Sequence, residues 1–141
     1  PKVHDSQLTA ANKVHNGDLV RIIKMIKGWN RCINDAFVGF YLELLTKRAL
    51  AGVTISSYPS GVRFVFDKGQ EAIRYLIDDP AGFGAKVGGL NNLTKVDDAV
   101  GRFRTACNRA RKAERFATAG NIRAAFEEWR KIFPRYFPAY G

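Results

Sequence analysis

The sequence predicts an all-α fold, a single bundle of five to six helices forming one domain over residues 1–141. Three observations predict it. Apolar residues recur at three- and four-residue intervals along most of the chain, the period of a helix buried on one face. Strand signals are confined to two short β-prone runs, Val53 to Ile55 and Arg63 to Phe66, with no Asn-Gly or Asp-Gly pair between alternating apolar residues. A 46% hydrophobic content in 141 residues is enough for one continuous core.

A short first helix is expected from about Ser6 to Val14, closed by Asn16-Gly17, a pair suited to a left-handed cap. Asp18 can cap the next helix, which runs from Leu19 to about Arg31 with Leu19, Ile22, Ile23, Ile26 and Trp29 or Asn30 in one stripe. The third spans about Val38 to Leu50 and stops at Ala51-Gly52. Ser57-Tyr58-Pro59-Ser60 supplies a cap and a first-turn proline for the fourth, whose stripe is Val62, Phe66, Gly69, Ile73 and Leu76 and which ends near Asp78.

Asp79 to Leu93 holds Pro80, four glycines and two asparagines and reads as an irregular loop. A long helix from Lys95 to about Ala119 follows, with Val96, Phe103, Cys107, Ala110, Ala113 and Ala117 on a narrow face whose small residues permit close packing. Gly120 ends it. Asn121 caps a last helix through Ile122, Ala125, Phe126, Trp129 and Phe133, before Pro134, Pro138 and an aromatic tail of Tyr136, Phe137 and Tyr140. Trp29, Phe66, Phe103, Phe126 and Trp129 are the expected core rings.

No stretch approaches the roughly 18 apolar residues of a membrane span, because Arg21, Lys24 and Lys27 interrupt the most hydrophobic early segment. Cys32 and Cys107 have no metal or redox spacing, and His4 and His15 add no zinc pattern, so a reducing cytoplasm is the expected location. The opening Pro1-Lys2-Val3-His4 reads as part of a longer polypeptide. Lys and Arg number 23 against 13 acids, a formal charge of +10 that favours polyanionic partners. A helical ribonuclease toxin would place an arginine a few residues before a histidine, and neither His4 nor His15 has one upstream.

The second helix concentrates that charge. Arg21, Lys24, Lys27 and Arg31 recur at i, i+3 and i+4 spacing opposite the isoleucines. Such a row is either a solvated amphipathic face or a seat for an anion the size of a triphosphate.

Arg21 to Trp29, with a lysine two residues before the tryptophan, then Phe40-Tyr41-Leu42-Glu43-Leu44-Leu45-Thr46, and finally Trp129-Arg130-Lys131-Ile132-Phe133 before Phe137-Pro138, keep their order along almost the whole chain. Together they resemble the C-terminal helical lobe of oligoadenylate synthases, cyclic GMP-AMP synthase-like nucleotidyltransferases and their bacterial antiviral relatives. The resemblance implies that Lys27 reaches the triphosphate of a bound nucleotide, that Lys24 is a secondary phosphate contact and that Phe40 stacks on a base. Gly39 stands where bacterial members have a phosphate-contacting serine, so the resemblance implies that this contact is either missing or supplied by a backbone N–H. ATP and Mg²⁺ would be used by the parent enzyme, the metal held by a catalytic palm lobe expected upstream of Pro1.

The chain contains no two acids at i and i+2 and no Gly-Ser dipeptide, which that lobe would supply, so by itself it is expected to be inactive. Trp29 and Trp129 have a simpler reading as core residues, and Glu43 one as the partner of a basic neighbour. A non-catalytic nucleic-acid-binding module is the alternative function. Arg102, Arg104, Arg109, Arg111, Lys112 and Arg115 would serve it, but they lie at several angles around one helix.

Overall fold

The computed structural model describes residues 17–78 and 96–136. Within them lie five α-helices and no strand: α1 Asp18–Cys32, α2 Gly39–Leu50, α3 Tyr58–Asp78, α4 Val96–Thr118 and α5 Ile122–Ile132. The helix expected over Ser6 to Val14, the loop from Asp79 to Leu93, His4, His15 and the tail residues Phe137, Pro138 and Tyr140 fall outside the described residues. No helix among the described residues is long and apolar enough to cross a membrane.

The local signals act where the sequence places them. Pro59 sits in the first turn of α3, where Ser57 Oγ accepts from the backbone N–H of Ser60 at 3.2 Å. Asn121 Oδ1 accepts from the N–H of Ala124 at 3.1 Å and opens α5. Gly52 and Gly120 follow α2 and α4 with φ of 73° and 83°, the left-handed conformation that ends a helix. Asp18 departs from expectation. The cap position of α1 is Gly17, and Asp18 lies inside the first turn, where its charge still favours the helix N-terminus while its carboxylate accepts from the Tyr58 hydroxyl at 2.9 Å.

α4 packs against both α3 and α5, α3 against α2, and α1 against α2 and α3. At the centre stand four rings. Trp29 lies 5.0 Å, centroid to centroid, from both Phe66 and Phe103 and 5.8 Å from Phe37, which is itself 5.2 Å from Phe103. All four are buried, and they join α1, the α1–α2 connection, α3 and α4. The α3–α4 seam is tight because a Cβ on Gly69 would come within 2.6 Å of the Phe103 ring. Outside that contact three ion pairs cross the seam: Arg63–Glu114 at 2.5 Å, Arg74–Asp97 at 2.9 Å and Arg111–Asp67 at 3.4 Å.

The last helix is rotated from its expected orientation. Ala125, Glu128 and Ile132 are its buried residues, whereas Phe126 and Trp129 are half-buried, Trp129 packing on the edge of the core and on Phe133. Small side chains on α4, including Ala106, Ala110 and Ala113, let α5 approach through Ala125, and the large rings move to the flanks. Glu128 is buried but not unpaired, since Lys131 donates to it at 2.6 Å.

The α1–α2 connection turns through Asn34 and Asp35, whose φ values of 59° and 51° are uncommon for non-glycine residues. Asn30 holds it. The side-chain amide donates to the Phe37 carbonyl at 2.8 Å and accepts from the Phe37 N–H at 3.0 Å, while the Asn30 carbonyl accepts from the N–H groups of Ile33 and Asp35.

Asn30→Ala should therefore destabilise the fold by about 2–4 kcal/mol, since it leaves a buried N–H and C=O on Phe37 unsatisfied; urea unfolding followed by circular dichroism checks it. Two glycines in the α3–α4 pair should respond in opposite directions. Gly101, where a Cβ would meet none of the described residues within 4 Å, should gain about 0.5–1 kcal/mol as Gly101→Ala. Gly69→Ala should lose about 1–3 kcal/mol through overpacking against Phe103. The same unfolding series measures both.

Candidate nucleotide-binding site

The basic row of α1 resolves into four different environments. Arg21 Nη1 donates to the Tyr58 hydroxyl at 2.6 Å, and that hydroxyl donates on to Asp18. The hydrogen bond to Tyr58 raises the Arg21 pKa above its ordinary value, as the bond from Arg31 to Tyr136 does for Arg31. Lys24 is exposed and has no ion-pair partner among the described residues. Lys27 is half-buried, its ammonium paired with Glu43 one turn into α2.

Ile22, Ile23 and Ile26 are buried on the far side of α1, as the periodicity requires. Lys24, Lys27 and Arg31 then line one pocket of about 480 Å³ with Met25, Gly28, Phe133 and Tyr136. Two of the expected site residues, Lys24 and Lys27, are thus brought together. Gly39 does not line the pocket, but it lies beside Lys27 on the first turn of α2, where a Cβ would be 3.8 Å from Lys27 Cε. Glu43 is held one helical turn further along and closes the ion pair, the structural reading its flanking leucines suggested. Phe40, the expected base-stacking residue, is half-buried and does not line this pocket.

Three contributors were not legible as site residues. The resemblance gives Arg31 no phosphate contact, yet it borders the same pocket. Tyr136 and Phe133 come from the segment after α5, over a hundred positions away, and only the tail's aromatic content hinted at them. Gly28 carried the usable signal. A glycine inside a helix and between cations at i−4 and i+3 marks a close approach, and a Cβ there would lie 3.1 Å from Tyr136 Cε2.

The second basic region, on α4, divides in two. Arg109 turns toward α5, donating to the Lys131 carbonyl at 3.2 Å, and shares with Arg102 the lining of a small cavity of about 170 Å³. Arg104, Lys112 and Arg115 are exposed, without ion-pair partners among the described residues. Among those residues no three His, Cys, Asp or Glu side chains come together to hold a metal ion.

No protein-family model, curated protein or solved structure matches the chain.

Proposed function

We propose that this chain is a nucleotide-clamping helical lobe, binding the triphosphate of a nucleotide such as ATP at the α1 pocket, within a nucleotidyltransferase that makes cyclic or linear oligonucleotides. One observation carries the binding half of this reading: three cations of one helix face and two aromatic side chains border a single pocket. A polyphosphate alone would use only the cations, whereas a nucleotide uses both classes of wall. The enzymatic half rests on the order of the three motifs and on the parent polypeptide supplying the metal-binding carboxylates. The chain by itself would bind and orient the nucleotide without transferring the nucleotidyl group.

In this reading Lys24 and Arg31 flank the phosphates from positions two turns apart on α1, and Lys27 contacts them from the side of Gly39. A charge-assisted hydrogen bond to phosphate is worth about 1.5–3 kcal/mol. Exposure of Arg104, Lys112 and Arg115 supports a second reading, a non-catalytic nucleic-acid-binding module that uses the outer face of α4.

Titration calorimetry with ATP separates the two. Lys24→Ala and Lys27→Ala should each weaken binding by about ten- to a hundredfold, and Arg31→Ala should fall with them because it borders the same pocket. Arg115→Ala, which removes the same charge elsewhere, should change affinity less than about threefold. Equal losses at all four positions would favour a diffuse polyanion surface and the second reading. Oligonucleotide synthesis from ATP and magnesium by the pure chain would refute its expected inactivity.

A further inference from the structure

We infer that Tyr136, and not Phe40, is the ring on which the nucleotide base stacks, with Gly28 as the seat that sets the ring beside the phosphate-binding cations. The inference rests on the nucleotide reading of the α1 pocket and adds to it the residue that recognises the base.

Four observations converge on Tyr136. It lines the pocket, and Phe40 does not. It is 50% exposed, an unusual state for a large aromatic side chain in a chain whose other central rings are buried. Its placement is nevertheless specified: the hydroxyl accepts from Arg31 Nη1 at 3.1 Å, and its backbone N–H donates to the carbonyl of Phe133, a buried residue, at 3.0 Å. The ring also approaches α1 by its Cε2–Cζ–Oη edge, since a Cβ on Gly28 would lie 3.1, 3.4 and 3.5 Å from those three atoms.

With its Cε2–Cζ–Oη side against α1 and half of its surface exposed, the ring keeps open surface for a ligand. Gly28 lies between Lys24, one turn before it, and Arg31, one turn after, so the platform and the cations share one strip of α1. A nucleotide presents the same order, a flat heteroaromatic group joined through a short linker to a polyanion. Met25 and Phe133 complete an apolar wall that an inorganic anion would leave unused. Base–aromatic stacking of this kind needs no particular hydrogen-bond pattern, so Tyr136 would favour nucleotides over bare polyphosphate without choosing strongly among bases.

The test compares ATP with inorganic tripolyphosphate by titration calorimetry on the wild-type chain, Tyr136→Ala, Tyr136→Phe and Phe40→Ala. Tyr136 follows α5 and is half exposed, so folding should survive its replacement; circular dichroism monitors this. Tyr136→Ala should weaken ATP by about tenfold and leave tripolyphosphate within about twofold, while Tyr136→Phe, which keeps the ring and loses the bond to Arg31, should retain most ATP affinity. An equal loss of both ligands in Tyr136→Ala would overturn the inference, because Tyr136 would then act only by placing Arg31. So would a loss confined to ATP in Phe40→Ala but not in Tyr136→Ala. In either case tripolyphosphate binding that depends on Lys27 would leave the nucleotide reading standing. Failure of the wild-type chain to bind either ligand would overturn both.

Discussion

The contact of Trp29 with Phe37, Phe66 and Phe103 is the constraint on which the rest of the structure depends. Each ring comes from a different stretch of chain, so the cluster fixes the mutual positions of α1, the turn after it, α3 and α4 at one point. Aromatic pairs at these separations contribute about 0.5–1.5 kcal/mol each beyond the area they bury. Their geometry matters more than their sum. Trp29 faces inward on the same helix whose opposite side carries Lys24, Lys27 and Arg31, so the rotation of α1 that buries the indole is the rotation that presents the cations.

The α3–α4 seam shows how charge is used away from the pocket. Arg63, Arg74 and Arg111 each find an acid across the seam, and Lys27, Arg130 and Lys131 find one nearby. At partly exposed positions such pairs contribute little to stability, with a median of about 0–1 kcal/mol. Their effect is on distribution. Acids paired within the bundle leave positive charge without an acid partner among the described residues at Lys24 and on the outer side of α4, at Arg104, Lys112 and Arg115, so a polyanion would meet a patterned surface.

Helix positions were legible in the sequence because each is marked by its period and by a stop: Ala51-Gly52, Gly120 and the Ser57 and Asn121 caps act where they stand. The core was legible where the stripe belongs to a helix packed on several sides, as with Trp29, Phe66 and Phe103. It was less so on α5, which among the described residues packs chiefly on α4 and its buried alanines; periodicity within α5 cannot register them. The candidate site divides along the same line. Lys24, Lys27 and Arg31 follow from spacing within a single helix, whereas the Tyr136 hydroxyl that Arg31 meets is a long-range partner that no local pattern encodes. The grouping of Gly39 and Glu43 with Lys27 likewise comes from packing of α1 against α2. Asn30, which read as the last position of an apolar stripe, is a buried polar clasp whose role depends on a turn with two left-handed residues.

The ion pair between Lys27 and Glu43 has a consequence for how the two lysines of the pocket would differ. A lysine side chain surrenders up to about 2 kcal/mol of rotamer freedom when it is immobilised. Lys27 has already lost much of that freedom, laid across the first turn of α2 with its ammonium on Glu43, and an ammonium carries three donors, so one carboxylate does not exhaust it. Lys24, exposed and without such a partner among the described residues, would give up its freedom only when an anion arrives. Of two chemically identical side chains a single turn apart, one is therefore preorganised and the other adaptable, and the difference comes entirely from a glutamate on the neighbouring helix.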